Sequence, residues 1–261
     1  MELFHRTIGD IDPAGPLPPL VVLHGLLGSS DNWQTLALRW AKDRPVVLLD
    51  QRNHGRSPHH PSHTYAGLVV DLLDTLDSLG IDRADLLGHS MGGKTVMHFA
   101  DRHPSRCRQL IVADMAPVPY PPHHTPLFDA MMGLDLSAFE RRGEVEAALA
   151  RSVEEPGIRQ FLLKGLYRPD PERFGWRFNL PVLRRHLADM TSLMPLGTID
   201  IRTLAIFGTR SDYVVGRGIA SMRQHFTILE EVALDAGHWL HAEQPDAFRN
   251  AVLDFLGRPD A

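Results

Sequence analysis

The stretch Ala84-Asp85-Leu86-Leu87-Gly88-His89-Ser90-Met91-Gly92-Gly93-Lys94 decides the fold. Ala84–Leu87 reads as a short buried strand, and Gly88–Gly92 matches G-x-S-x-G. The residues after it are compatible with a helix to about His103, where Pro104 bars further helix. A strand that passes through so tight a turn into a helix forces the intervening serine into a strained conformation, and the flanking glycines leave room for adjacent chain. The first N–H groups of the helix then face any negative charge that develops beside the serine. Ser90 is therefore a candidate nucleophile; the plainer alternative is a strand-to-helix turn with an incidental serine.

Outward from this turn, short apolar runs alternate with helical periods, the mark of a mostly parallel α/β sheet. Leu20–Leu23, behind a turn containing Pro16, Pro18 and Pro19, reads as a strand. Ser30-Asp31 offers a helix cap, and Trp33, Leu36, Ala37, Trp40 and Ala41 follow at the spacing of one helix face. Pro45–Asp50 is the next strand. Tyr65, Leu68, Val69, Leu72, Leu73, Leu76 and Leu79 then form an apolar stripe ended by Gly80. Leu110–Asp114 is a fourth strand. From Val118 to about Gly197 the pattern is helical but broken by proline, and nearly balanced in charge. Strands return at Leu204–Phe207 and around Ile228–Val232, with helices over Gly216–Phe226 and Pro245–Leu256. The expected organisation is an α/β core made of residues 1–116 and 200–261, with residues 117–199 inserted as a helical cap.

Composition bounds the function. The chain has 261 residues, with 27 Lys and Arg against 32 Asp and Glu, a net charge of −5. That is a poor balance for binding nucleic acid, which requires neutralising phosphates. A single cysteine, Cys107, excludes an internal disulfide and a Cys-rich zinc site, and reads as a packed, inert thiol. The N-terminus shows no signal-peptide pattern, and no apolar run is long enough to span a membrane. The default expectation is a cytoplasmic protein without membrane insertion.

A serine hydroxyl needs a base. His238, after a late strand and before the last helix, sits where the chain order Ser…acid…His requires it. Two carboxylates compete as its partner. Asp212 follows the strand Leu204–Phe207, and Asp114 ends the strand after the Ser90 helix. Either could hold the imidazole in one tautomer. The loop His24-Gly25-Leu26-Leu27-Gly28 follows the first apolar strand, so the backbone N–H groups of Leu26 and Met91 are the expected oxyanion donors.

These residues resemble the α/β-hydrolase superfamily along nearly the whole chain, and within it a branch of small esterases and thioesterases. The resemblance is carried by His24–Gly28 with Asp31-Asn32, Asp50–Ser57 (DQRNHGRS), Gly88–Lys94 (GHSMGGK), Asp114–Pro117 (DMAP), Trp176–Pro181 (WRFNLP) and Gly237–Glu243 (GHWLHAE). It implies an α/β-hydrolase fold, Ser90 as nucleophile, His238 as base, Asp114 as acid and an assisting role for Ser211, with no cofactor or metal. The sequence departs from that branch in placing Asp212 directly after Ser211, which restores the acid position of the wider superfamily. The implied activity is hydrolysis of small carboxylic esters or acyl thioesters through an acyl-enzyme.

His24, Gly25, Asn53, His54, Trp176, Phe178 and Trp239 are candidate substrate contacts. Arg52, Asn53 and His54 could equally order their own loop. Met131, Met132, Phe161, Phe174, Trp176, Phe178 and Met190 either line an acyl pocket or form the core of the cap. His59, His60, His63, His123 and His124 read as surface-loop residues, since no carboxylate cluster accompanies them to hold a metal. Two rival functions remain: a non-catalytic ligand-binding protein on this fold, and a serine-dependent carbon–carbon hydrolase or perhydrolase.

Overall fold

Residues along the central strands face opposite sides of the sheet in turn, and both sides are buried. In the computed structural model, Val21 and Leu23 pack into one apolar cluster while Leu20 and Val22 pack into another across the sheet. Val47 and Leu49 against Val46 and Leu48 repeat the pattern, as do Leu110 and Val112 against Ile111 and Ala113. Strands covered on both faces are apolar throughout, which is why they stand out as unbroken runs. The structure describes residues 1–257 except 13, 14, 16, 172 and 194. Pro16 of the first turn and residues 258–261 of the second core segment lie outside the described residues.

In chain order the elements are β1 (His5–Ile8), β2 (Leu20–Leu23), α1 (Gln34–Trp40), β3 (Val46–Leu49), α2 (Tyr65–Ser78), β4 (Ala84–His89), α3 (Met91–Arg102) and β5 (Cys107–Ala113). Between β5 and the next core strand come α4 (Thr125–Met132), α5 (Arg142–Leu149), α6 (Pro156–Leu163), a hairpin of β6 (Leu166–Asp170) and β7 (Arg173–Trp176), α7 (Leu180–Arg185) and α8 (Leu187–Thr191). The chain closes with β8 (Thr203–Gly208), α9 (Arg217–His225), β9 (Leu229–Leu234), α10 (Leu240–Glu243) and α11 (Pro245–Leu256). Seven strands form one sheet in the order β1-β3-β2-β4-β5-β8-β9, all parallel except β1, which runs antiparallel to β3.

Two expectations need correction, and one strand leaves no mark in the sequence. That strand is β1: His-Arg-Thr-Ile is half-exposed at the sheet edge, so it lacks the apolar run of a central strand. The segment expected as a helical cap is not wholly helical, because it contains the β6–β7 hairpin. Ser30 and Asp31 do not cap α1 but lie within a single 3₁₀ turn, and Trp33 holds the capping position.

The segment between β5 and β8 has its own apolar cluster, with Phe128, Val145, Leu162, Leu163 and Leu183 fully buried. Leu27, from the loop after β2, packs into the same cluster and links it to the sheet. The loops carrying His24, Asn53, Ser90, Asp114, Ser211 and His238 leave the carboxyl ends of β2, β3, β4, β5, β8 and β9. That end of a parallel sheet is where such folds gather ligand-handling groups.

Candidate active site

Ser90 links β4 to α3 with φ 54° and ψ −117°. An added Cβ at Gly88 would lie 2.2 Å from the Gly92 carbonyl oxygen, and one at Gly92 would lie 2.4 Å from that of Leu23. Only glycines let the strand, turn and helix approach this closely. Among the described residues the non-glycine residues with positive φ are Leu27, Asn53, Ser90 and Asp114, and all four stand in loops around this turn. Backbone strain of this kind persists only where the surroundings enforce it, and it clusters at functional sites.

Three side chains form a hydrogen-bonded row. Ser90 Oγ lies 3.0 Å from His238 Nε2, and His238 Nδ1 lies 2.7 Å from Asp114 Oδ2. Asp114 is fully buried; its Oδ1 accepts the Gly208 N–H at 3.0 Å and its Oδ2 also accepts the Ser211 hydroxyl. With its carboxylate engaged on both oxygens, Asp114 faces Nδ1 of the imidazole, and Nε2 faces the serine. Asp212 takes no part in this row: it is exposed, and His238 Nδ1 is already occupied by Asp114.

Further side chains, whose roles the sequence did not reveal, hold His238 in place. His89 Nε2 donates to the His238 carbonyl oxygen at 2.9 Å. Burial, then the neighbouring His238 and His241, push the His89 pKa well below the ordinary value, so its ring is neutral. Tyr213 stacks on the His238 ring at 4.1 Å between centroids. Glu243 Oε2 accepts the Gly237 N–H at 2.9 Å, pinning the turn before the histidine. His89 occupies a variable position of its motif, so only its burial between the two rings marks it.

The loop after β2 is braced by histidines. His24 donates from Nδ1 to the Gly25 carbonyl at 2.8 Å and accepts the Gln51 N–H on Nε2 at 3.0 Å. His54 accepts the Leu27 N–H on Nε2 at 3.1 Å and donates from Nδ1 to the Arg52 carbonyl at 3.0 Å. Burial lowers both pKa values, that of His54 well below the ordinary one, so each ring offers one donor and one acceptor. An added Cβ at Gly25 would come within 3.1 Å of the Ser90 Cβ, so the loop lies directly against the serine. Among the described residues, the amides of Leu26 and Met91 donate to no protein acceptor.

Ser90 opens onto two chambers. The larger, about 230 Å³, is lined by His238, Trp239 and Phe161 among others, together with His24 and Gly25. The smaller, about 30 Å³, is lined by Met91, Met115, Leu187 and Met190. Of the expected substrate contacts, Gly25 and Trp239 face the larger chamber, and His24 does so with both ring nitrogens already engaged. The others are corrected. His54 is buried behind the β2 loop. Asn53, also buried, accepts the Asn179 side-chain N–H at 2.9 Å and ties the β3 loop to the start of α7. Trp176 and Phe178 pack within the apolar cluster of the segment between β5 and β8, their rings stacked. Arg52 forms a buried ion pair with Asp71 of α2 and so orders its loop. Two histidines read as surface residues are not. His63 is buried with its pKa lowered to about 3 by burial and then by Arg52, and His124, just before α4, lines both chambers.

Among the described residues no group of three histidine, cysteine or acidic side chains stands ready to hold a metal, and no helix is long and apolar enough to cross a membrane.

The model of the alpha/beta hydrolase fold matches residues 18–148. The chain is 37% identical to esterase YbfF of Escherichia coli, over 91% of this chain and 92% of that protein. The chain belongs to the α/β-hydrolase fold family. Another relative within it is the sn-1-specific diacylglycerol lipase ABHD11 of Mus musculus, 36% identical over 94% of this chain and 83% of that protein. A solved structure described as a marine microorganism esterase superposes with a TM-score of 0.92 at 35% identity, covering 97% of this chain and 99% of the other.

Proposed function

We propose that the protein is a serine hydrolase of carboxylic esters, with Ser90 as nucleophile, His238 as general base and then general acid, and Asp114 as the orienting carboxylate. The observation that carries this reading is the row Asp114–His238–Ser90, bonded at 2.7 and 3.0 Å and opening on a chamber of about 230 Å³. His238 Nε2 takes the Ser90 proton as Oγ attacks the acyl carbon. The oxyanion that forms is received by the Leu26 and Met91 amides, whose N–H groups are otherwise uncommitted. The protonated His238 then gives its proton to the departing alcohol, and water repeats the sequence on the acyl-enzyme. Ser211 holds the Asp114 carboxylate in place by donating to the oxygen that also serves His238. Residues 117–199 act as a cap on the core of residues 1–116 and 200–261.

The names of the similar proteins, an esterase and a diacylglycerol lipase, support ester substrates. The test is hydrolysis of p-nitrophenyl butyrate by the wild type and by Ser90→Ala. The wild type is expected to turn over and the variant to fall to background with its unfolding midpoint unchanged. Equal turnover in both proteins would remove Ser90 from the reaction.

A further inference from the structure

The two chambers differ in which catalytic group they contain, and that difference assigns them. His238 lines the larger chamber and is absent from the smaller, whereas Met91 lines the smaller and is absent from the larger. Ser90 and Leu26 line both. In ester cleavage the Ser90 Oγ–carbon bond forms and the carbon–alkoxy bond breaks. The departing oxygen takes its proton from His238 Nε2, so the alcohol half must lie on the His238 side. The acyl chain leaves the tetrahedral carbon in the other direction, toward Met91.

We infer that the small chamber receives the acyl group and is fastened at its present size, so that the protein selects esters joining a short acyl group to a larger alcohol. The inference rests on the reading of Ser90 and His238 proposed above. A space of about 30 Å³ holds only a few heavy atoms, about two to four acyl carbons. The larger chamber shares Ile158, Phe161 and Trp239 with an open groove of about 690 Å³, leaving room for a bulky alcohol half.

The walls of the small chamber are tied rather than merely packed. The Tyr65 hydroxyl donates to the Met190 carbonyl at 3.0 Å. The Tyr120 hydroxyl donates to the Tyr213 carbonyl at 2.8 Å and accepts the Ala116 N–H at 2.9 Å. Behind both rings lies Lys94, fully buried, its Nζ 5.8 and 5.1 Å from the two ring centroids and donating to the Ser192 carbonyl at 2.8 Å. An ammonium is costly to bury unless its bonds repay the lost hydration. Here those bonds clamp the end of α8, which carries Leu187 and Met190, over the chamber.

The experiment is kcat/KM on p-nitrophenyl esters from acetate to decanoate, for wild type, Ser90→Ala, Met190→Ala, Met190→Phe and Ile158→Phe. Wild type is expected to peak between acetate and butyrate and to be at least about tenfold lower on octanoate, since methylenes that a small apolar pocket cannot hold discriminate on that scale. Met190→Ala should move the optimum to longer chains and Met190→Phe should confine it to acetate. Ile158→Phe should leave the acyl profile in place and lower turnover of 1-naphthyl acetate relative to p-nitrophenyl acetate. Should Met190→Ala not fold, Leu187→Ala opens the same wall. A wild-type optimum at octanoate or longer, or an acyl profile moved by Ile158→Phe and not by the Met190 variants, would overturn the assignment. Absence of Ser90-dependent turnover on every ester would instead overturn the ester-hydrolase reading beneath it.

Discussion

The loops at the carboxyl ends of the strands and the cap above them are built by different forces. Around Ser90, position is set by directional bonds: His24 and His54 brace the β2 loop, His89 and Glu243 brace the turn carrying His238, and Asp114 is held by Gly208 and Ser211. Four strained backbone residues are fixed in the same loops. The cap is instead organised by an apolar cluster around Phe128, Leu163 and Leu183, and meets the core through Leu27, which packs into that cluster, and through polar ties such as Asn179 to Asn53 and Lys94 to Ser192. Placing a reacting atom needs direction, which hydrogen bonds supply. Enclosing a volume rests mainly on burial, which is non-directional, with directional ties only where α8 closes the small chamber. Damage to the loops should therefore appear in the rate, and damage to the cap in selectivity and stability.

The largest effect expected in the loops is from Ser90→Ala, a loss on the order of 10⁴-fold or more in kcat. Asp114→Asn should come next, at about 10³–10⁴-fold, because an amide at that position no longer fixes the His238 tautomer. Asp212→Asn, measured beside it, should stay within about twofold, since that side chain is exposed and outside the row. A large loss in Asp212→Asn with a small one in Asp114→Asn would reverse the assignment of the acid.

His54→Leu sharpens the contrast further. It leaves the Leu27 N–H buried without its acceptor and frees the loop that carries the Leu26 amide. A fall in kcat of about ten- to a hundredfold with little change in KM is expected, less than the loss of an oxyanion donor outright. Unchanged kcat would show that the loop keeps its shape without the histidine.

The same buried histidines link stability to pH. His63 and His241 have pKa values lowered to about 3, and those of His54 and His89 lie well below the ordinary value; burial is the main cause in each. Below pH 6.5 the unfolded chain binds protons at these positions while the folded chain does not. Folding stability is thus complete above about pH 6.5 and falls as the pH drops, by about 1.4 kcal/mol per unit for each such histidine until its folded pKa is reached. Urea midpoints should be level from pH 7 to 8 and decline steadily below pH 6. A flat profile down to pH 5 would mean the rings are protonated, and hence accommodated, in the folded state.

What the sequence discloses follows the same division. The central strands and α11 are legible because burial on both faces or along one stripe leaves unbroken apolar runs or a clean helical period. β1 and the β6–β7 hairpin are not, being short, partly exposed and, in β6, interrupted by Pro169. Ser90 can be read from its local motif because the turn imposes its own residue types, and His238 from its place in the chain order after a late strand. The choice between Asp114 and Asp212 cannot, because it depends on which loop reaches His238 across strands far apart in the chain. His54 and His124 exchange expected roles for the same reason: one is sealed behind the β2 loop and the other hangs over the chambers, and burial of a lone histidine leaves no local signature.

The smallest expected effect tests the cap side of the comparison. Asn179 donates through its side chain to Asn53 Oδ1 at 2.9 Å and through its backbone N–H to the Asn53 carbonyl at 2.9 Å. In Asn179→Ala the backbone bond persists, and Asn53 Oδ1 still accepts the His60 N–H at 2.8 Å, so no buried acceptor is stranded. The loss should be that of one neutral hydrogen bond, about 1 kcal/mol in unfolding free energy. Ser90, His238 and Asp114 are all held by core loops, so kcat on p-nitrophenyl acetate should stay within about twofold of wild type. A tenfold fall in kcat with unchanged stability would mean that the cap, through Asn53 and the β3 loop, also sets the direction of the reacting groups, and the separation between the two regions would fail.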